Sequence, residues 1–135
     1  MMPLRVLLVD DSQTLRMMMA EWLAGLPGVS VIAQAGSGDE ALGLVDEVRP
    51  TFVLTDVEMP GMSGFEFTFR IRHRTDAPRV AIMSASKLPH YRELCRRAGA
   101  DIFIDKKDLF GSLARYLKNE FGASAFSSSS SEGLA

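Results

Sequence analysis

Three apolar runs in this chain end in the same way, on charged side chains. The first leads into Asp10 and Asp11, the second ends at Asp56, and the third leads through Asp105 to Lys106. If the runs are parallel strands of one sheet, their carboxyl ends gather three aspartates and a lysine in one crevice. Such a crevice suits the binding of a divalent cation and the transfer of a phosphoryl group onto a carboxylate.

Three carboxylates in one crevice repel each other unless a cation joins them. Oxygen ligands that are few in number and partly open to water favour Mg²⁺ in octahedral coordination. We expect Asp11 and Asp56 to bind the metal directly and Asp10 to act through a bound water. The backbone carbonyl of Glu58 is expected to complete the protein ligands.

Asp56 is the predicted nucleophile, because it is the acid on the central strand and carboxylates form aspartyl-phosphate intermediates. The metal and Lys106 would neutralise charge on the transferring phosphoryl group from two sides. Ser84, at the end of a further apolar run, offers a hydroxyl that could donate to a phosphoryl oxygen. Each signal alone has an ordinary explanation, such as helix capping for the acidic pair or a solvated surface position for the lysine. Because each falls at the carboxyl end of a different predicted strand, metal binding and phosphoryl transfer are favoured.

The elements that must position these residues follow an alternating pattern of strand-length apolar runs and segments of helical period. The predicted strands are 5–9, 29–34, 51–56, 79–83 and 101–104. The predicted helices are 12–24, 37–48, 63–74, a fourth that begins near Pro89 and ends at Gly99, and a fifth that ends near 121. Capping-box spacing predicts that Ser37 and Ser63 open the second and third helices, and Asp108 is the predicted cap of the fifth. The first helix is expected to place one face inward, formed by Leu15, Met18, Met19, Trp22 and Leu23.

Five strand–helix units with nearly continuous apolar strands predict a parallel sheet that is covered on both faces. Right-handed crossovers leave few topologies for such a chain. The predicted fold is α/β, a doubly wound, flavodoxin-like sheet of five parallel strands in the order 2-1-3-4-5 with five helices on both faces. Asp10, Asp11 and Asp56 would then lie at the point where the strand order reverses.

Size and composition narrow the class of protein. A chain of 135 residues, 47% of them hydrophobic, supports one core. The net charge of −2 argues against nucleic acid as a direct partner, and a single cysteine is compatible with a reducing compartment. Without a signal or membrane segment in the pattern, we expect a soluble, cytoplasmic domain over 1–122. The serine-rich segment 123–135 is predicted to be a flexible tail or the start of a linker.

Charge is unevenly placed along the chain. Acids dominate the first half, whereas arginines dominate the segment 70–97. Solvated helix faces explain such a basic segment most simply. The alternative is a basic docking surface for an acidic partner.

Several motifs together resemble the receiver domain of two-component response regulators. They are Val6–Ser12 (VLLVDDS), Leu54–Gly64 (LTDVEMPGMSG), Met83–Ser86 (MSAS) and Gly99–Lys106 (GADIFIDK). The resemblance covers about Leu4 to Phe121, nearly the whole chain.

The resemblance implies that Asp56 accepts a phosphoryl group from a phosphohistidine on a sensor histidine kinase or a phosphotransfer protein. It also implies roles for five further positions. Asp10 and Asp11 correspond to the acidic Mg²⁺ pair, Ser84 to the hydroxyl that turns towards the phosphoryl group, Lys106 to the invariant lysine and Phe103 to the aromatic switch. The movement of this hydroxyl and of the aromatic side chain is expected to alter the surface formed by helix 4, strand 5 and helix 5. A downstream protein target would bind that surface. Packing within the strand is the plain alternative for Phe103.

One position departs from the family pattern. Lys107 stands where the family usually has a proline, often after a cis bond. Because a cis bond before a non-proline residue costs about 3–4 kcal/mol, we expect a trans bond and an altered loop into the last helix.

Three other functions compete with that of a switch protein which catalyses only its own phosphotransfer and dephosphorylation. A Mg²⁺-dependent aspartyl-phosphate phosphatase would use Glu58 as general acid or base, two residues after the nucleophile. A constitutive docking module would need no phosphorylation, although such modules usually lack one of the acids or the lysine. The chain could also be the severed receiver of a multidomain transcriptional or enzymatic regulator.

Overall fold

The computed structural model describes residues 3–122. Five parallel strands form one sheet in the order β2-β1-β3-β4-β5. The strands are β1 Leu4–Val9, β2 Val29–Ala35, β3 Phe52–Asp56, β4 Arg79–Ser84 and β5 Ile102–Asp105. The helices are α1 Gln13–Ala24, α2 Gly38–Val48, α3 Gly64–Arg72, α4 Tyr91–Ala98 and α5 Leu109–Phe121, with a 3₁₀ turn at Lys106–Asp108. The predicted flavodoxin-like fold and strand order are therefore confirmed.

The sheet separates two apolar cores, because successive side chains of a strand point to opposite faces. Leu8 and Leu54 face one core, which α1 and α5 cover, while Leu7 and Val53 face the other, which α2, α3 and α4 cover. All five residues of β3 are buried. The near-continuous apolar character of the central strands follows from this double covering.

The inward face of α1 is narrower than its sequence pattern predicts. Met19 and Leu23 are fully buried, and Trp22 packs its ring against Phe110 of α5 with centroids 5.1 Å apart. Met18 remains 53% exposed, so its predicted inward position is wrong. Successive helix residues are about 100° apart, so the rotation that directs Met19 into the core leaves Met18 at the edge of the buried face.

Serine caps begin the first three helices. Ser37 Oγ accepts a hydrogen bond from the Glu40 N–H at 3.2 Å, and Ser63 Oγ accepts one from the Glu66 N–H at 3.1 Å, as the spacing predicts. Ser12 caps α1 in the same way. Each cap satisfies an N–H group that has no partner inside its helix.

The entry into α5 differs from its prediction. Asp108 makes no side-chain capping bond, and its carboxylate instead accepts hydrogen bonds from Ser112 and Arg115. Asp108 stands at the N-cap position of α5, as predicted, at the end of the 3₁₀ turn Lys106–Asp108, but its side chain makes no bond to the N–H groups of the helix. Among residues 3–122 no peptide bond is cis, which confirms the predicted trans bond before Lys107. The Lys107 N–H donates to the Asp105 carboxylate at 2.9 Å, a bond that a proline could not make.

Gly64 lies where α3 begins and passes close to the strand that ends in Asp56. A Cβ atom at Gly64 would overlap the backbone carbonyl of Asp56. We therefore expect Gly64→Ala to lower the free energy of unfolding by about 2–4 kcal/mol, because the loop after Asp56 must move. Urea unfolding midpoints measure this loss.

Gly43 provides the matched control for Gly64. It lies on the exposed side of α2, with no atom within 4 Å of an added Cβ. We expect Gly43→Ala to stabilise the protein by about 0.5–1 kcal/mol, because alanine is the better helix former. Equal effects of the two substitutions would contradict the close contact at Gly64.

No helix in the described part of the chain, residues 3–122, combines the length and the apolar character needed to cross a membrane.

Candidate functional site

The ends of four strands place the candidate residues at one edge of the sheet. Asp10 follows the last residue of β1, Asp56 ends β3, Ser84 ends β4, and Lys106 follows β5. The parallel register sets Asp56 beside Met83 and Ser84 beside Asp105. Because β1 and β3 are neighbours whose helices pack on opposite faces, their ends leave a crevice at the switch point.

Three carboxylates meet in this crevice. Asp10, Asp11 and Asp56 each offer one oxygen, and these oxygens all lie within 4.8 Å of one another. Asp10 and Asp56 are 1% and 4% exposed, whereas Asp11 is exposed. Asp10 is also held by its surroundings, because its carboxylate accepts the Ser12 N–H at 2.8 Å. The cluster is therefore buried on two sides and open at Asp11.

Lys106 is the cation of the cluster. Its Nζ donates to Asp10 Oδ2 at 2.8 Å and lies 3.2 Å from Asp56 Oδ1. Asp56 Oδ1 is nonetheless a buried oxygen without a hydrogen-bond partner in the described structure, so the second approach is an ion pair without hydrogen-bond alignment. One ammonium faces three carboxylates, and a divalent cation would supply the missing positive charge. The donor set, all oxygen and open to solvent at Asp11, fits Mg²⁺.

The electrostatics of the cluster follow from this imbalance. Burial and, to a smaller extent, the neighbouring Asp10 charge raise the pKa of Asp56 to about 6, although Lys106 opposes both effects. For Lys106, burial lowers the pKa most, but the hydrogen bond to Asp10 and the charges of Asp56 and Asp10 together raise it above its ordinary value. Lys106 therefore stays an ammonium at neutral pH, while ionised Asp56 is costly without a further cation.

Ser84 ends β4 and Phe103 lies on β5, and each contacts a side chain from another element. Ser84 is fully buried, and its Oγ donates to Glu58 Oε1 at 3.2 Å while accepting the Ser86 N–H at 3.0 Å. Phe103 is half-buried on β5, with the Arg92 guanidinium 5.8 Å from its ring centroid. In this structure the Ser84 hydroxyl is thus directed to Glu58.

Tyr91 is a site residue that sequence reasoning missed, and so is its contact with Glu58. From the sequence, the Glu58 side chain had a role only in the phosphatase alternative, yet its carboxylate accepts a hydrogen bond from the Tyr91 hydroxyl at 3.4 Å. Burial and the Glu58 charge raise the pKa of Tyr91. The helical pattern places Tyr91 on the inner face of α4, but no sequence signal shows how far its hydroxyl reaches.

The fold and the site together define a doubly wound α/β domain with an acidic centre and a lysine at its switch point. The chain matches the family model described as response regulator receiver domain over residues 6–117. The chain therefore belongs to the response regulator receiver domain family.

Two curated relatives illustrate where such domains occur. A protein-glutamate methylesterase/protein-glutamine glutaminase from Treponema pallidum (strain Nichols) is 36% identical over 115 residues, which are 84% of this chain and 28% of that protein. The response regulator GacA from Pseudomonas viridiflava is 38% identical over 104 residues, which are 76% of this chain and 48% of that protein. The chain thus spans less than half the length of these curated relatives.

Solved structures agree with this assignment. The response regulator domain of Thermotoga maritima CheB is 31% identical, with a TM-score of 0.71 over 77% of this chain and 78% of that one. Vibrio cholerae CheY4 is 29% identical, with a TM-score of 0.72 over 84% and 98% of the two chains. A chain in the structure of the CheX–CheY–BeF₃–Mg²⁺ complex from Borrelia burgdorferi is 28% identical, with a TM-score of 0.73 over 87% of this chain and 89% of that one.

Proposed function

We propose that this domain accepts a phosphoryl group on Asp56 from a phosphohistidine of a sensor histidine kinase or phosphotransfer protein. The observation that carries the proposal is the buried, unpartnered Asp56 Oδ1, which lies beside Lys106 and two further carboxylates. A carboxylate oxygen with a free lone pair is a competent nucleophile. A bond forms between this oxygen and phosphorus while the phosphorus–nitrogen bond of the donor breaks. The imidazole nitrogen retains the electron pair of that bond.

Asp10, Asp11, Asp56 and the backbone carbonyl of Glu58 are the residues that would hold Mg²⁺ in this proposal. When bound, the ion would neutralise charge that the three carboxylates and the phosphoryl group share. The exposed side of Asp11 leaves the cluster accessible, and a groove that continues from it is lined by Glu58, Phe65 and Tyr91 among others. An imidazole donor could approach along this open side.

Lys106 and Ser84 would stabilise the phosphoryl group once it is on Asp56. The Lys106 ammonium already lies within ion-pair distance of Asp56. Ser84 would contribute its hydroxyl, and Phe103 would act with it as the switch towards the surface of α4, β5 and α5. A downstream protein target would bind that surface, and Arg92 beside Phe103 adds a positive charge to it.

The proposed function also implies a domain organisation and a cellular location for the protein. We assign 1–122 to the receiver domain in the cytoplasm and 123–135 to a tail or linker, which lies outside the described residues. In the curated relatives the matching region is part of a longer protein, which supports the alternative of a receiver joined to an output domain. A phosphatase role is less favoured, since the Glu58 carboxylate that would act as its general acid or base is engaged by Ser84 and Tyr91.

Incubation with Mg²⁺ and acetyl phosphate tests the proposed function. We expect intact-mass spectrometry to show one added phosphoryl group, which hydroxylamine removes because the product is an acyl phosphate. Chelation of Mg²⁺ is expected to prevent the modification. A protein that remains unmodified under saturating donor and Mg²⁺ would overturn the proposal.

Mg²⁺ binding alone is expected to stabilise the fold, because the ion offsets the repulsion among the three carboxylates. At a free concentration about ten times its Kd, the gain in the free energy of unfolding is about 1.4 kcal/mol. Thermal melts across a Mg²⁺ titration measure it. We expect Asp11→Asn to reduce the gain strongly, whereas Asp39→Asn, at an exposed position on α2 outside the cluster, leaves it in place. A gain that is unchanged in Asp11→Asn would place the ion elsewhere.

A further inference from the structure

The Glu58 carboxylate accepts two hydrogen bonds from hydroxyl groups on other elements. One comes from Ser84 at the end of β4, and the other comes from Tyr91 in the first turn of α4. We call these three residues the Glu58 cluster. Ser84 is fully buried, and in the described structure the exposed Glu58 carboxylate is the acceptor for both hydroxyls. Glu58 thus joins the β3–α3 loop to β4 and α4.

The cluster conflicts with the role of Ser84 in phosphoryl binding. A serine hydroxyl has one O–H to donate, and here Glu58 receives it. The Ser84 oxygen already accepts the Ser86 N–H, and a phosphoryl oxygen has no hydrogen with which to bond it. Ser84 can therefore donate to a phosphoryl group on Asp56 only after its bond to Glu58 breaks.

We propose that Glu58 competes with a phosphoryl group on Asp56 for the Ser84 hydroxyl. It thereby holds Ser84 and Tyr91 in the resting arrangement until Asp56 is phosphorylated. The inference rests on the proposed function of Asp56. A phosphoryl group on Asp56 attracts the Ser84 hydroxyl and adds negative charge near the Glu58 carboxylate, so the two effects open the cluster together. The hydrogen bonds of the Glu58 cluster thus oppose the conformational change that phosphorylation of Asp56 would cause.

Tyr91 connects this competition to the surface of α4, β5 and α5. Its ring lies edge-on to Phe65, with centroids 5.3 Å apart, and at a similar tilt to Phe103 at 6.3 Å. Arg92, the next residue of α4, covers the Phe103 ring from outside. When Glu58 loses Ser84, its carboxylate is held only by the longer bond of 3.4 Å from the Tyr91 hydroxyl. The position of Tyr91, and with it the packing around Phe103, is then free to change.

Binding of beryllofluoride with Mg²⁺ to the full chain, followed by ¹⁹F NMR, tests the proposal. Glu58→Ala is expected to tighten beryllofluoride binding on the order of tenfold, since a hydrogen bond to a charged group no longer competes for Ser84. Glu58→Gln keeps an acceptor for Ser84 and is expected to tighten binding less. Glu66→Ala is the matched control, because it removes an exposed carboxylate that bonds Arg70 and leaves the Glu66 backbone N–H bonded to the Ser63 cap.

A double-mutant cycle separates competition for Ser84 from the general loss of a negative charge. In a Ser84→Ala background, Glu58→Ala is expected to change beryllofluoride affinity less than about threefold, because the contested hydroxyl is gone. Equal tightening in both backgrounds would overturn the proposal. Wild-type protein that binds beryllofluoride without this coupling refutes the Glu58 cluster alone, whereas wild-type protein that binds none refutes the function of Asp56 and the inference with it.

The resting protein supplies an independent readout. The chain has two tyrosines, Tyr91 and Tyr116, so their ring resonances can be assigned separately by NMR. In Glu58→Ala without beryllofluoride, the Tyr91 resonances are expected to move towards their positions in beryllofluoride-bound wild type, while those of Tyr116 stay in place. Tyr91 resonances that stay at their resting wild-type positions would contradict a holding role for Glu58.

Discussion

Asp56→Asn is expected to abolish phosphoryl acceptance and, in the absence of Mg²⁺, to raise the free energy of unfolding by about 3 kcal/mol. The first effect follows because an amide has no anionic oxygen to attack phosphorus. The second follows because the pKa of Asp56 is raised from 3.8 to about 6, chiefly by burial, so ionised Asp56 destabilises the fold. Asparagine keeps the size of the side chain and removes the charge. A single substitution thus stabilises the protein and inactivates it.

The difference in stability between Asp56→Asn and wild type is expected to depend on pH. Below about pH 4 Asp56 is protonated in the folded and the unfolded chain, so it contributes no penalty there. Between pH 3.8 and about 6 the unfolded chain ionises first, and the penalty grows with pH until the folded group has ionised too. The stability difference between Asp56→Asn and wild type is therefore small near pH 4 and largest above about pH 7.

Urea unfolding at several pH values, with chelator present, measures the stability difference. Acetyl phosphate labelling of the same samples measures acceptance. Asp39→Asn, at an exposed position outside the cluster, is the control and is expected to change stability by no more than about 0.5 kcal/mol. Labelling of Asp56→Asn at the wild-type level would show that another residue is the acceptor.

Lys106→Met is expected to have the largest destabilising effect, about 3–5 kcal/mol near pH 8. Lys106 is the cation that contacts both Asp10 and Asp56, and both carboxylates are almost fully buried. Methionine retains most of the apolar stem and removes only the ammonium. Two buried negative charges then face each other without compensation.

The loss at Lys106→Met is expected to shrink as the pH falls. Lys106 lowers the pKa of Asp56, so its removal moves that pKa further above about 6. Asp56 then takes up a proton at mildly acidic pH, and the repulsion with Asp10 is relieved. Mg²⁺ is expected to restore part of the stability at pH 8 by replacing the lost charge.

Lys107→Met is the matched control for Lys106→Met. Lys107 is the next residue, its side chain is exposed, and its backbone N–H still bonds Asp105 after the substitution. We expect a change within about 0.5 kcal/mol, as for a surface position. Similar unfolding midpoints for the two variants would contradict the central place of Lys106 in the cluster.

The fold and the gathering of the charged residues can be predicted from the amino-acid sequence. Continuous apolar runs that end at Asp10, Asp56 and Lys106 can be buried on both faces only in a parallel, doubly wound sheet, whose strands share one carboxyl edge. Local signals were equally reliable at Ser37 and Ser63, because a cap bonds an N–H only three residues away. Such features depend on strand period, crossover handedness and nearest neighbours along the chain.

Contacts between side chains that are distant in the chain cannot be predicted from these local patterns. Met18 is exposed although the helical pattern places it inward, and the Asp108 carboxylate bonds Ser112 and Arg115 and caps no N–H of α5. The Glu58 cluster is of the same kind. Ser84 lies 26 positions from Glu58 and Tyr91 lies 33, and no periodicity reaches across such separations. Which acceptor a buried hydroxyl finds depends on the packing of three separate elements, and that packing exists only in the folded chain.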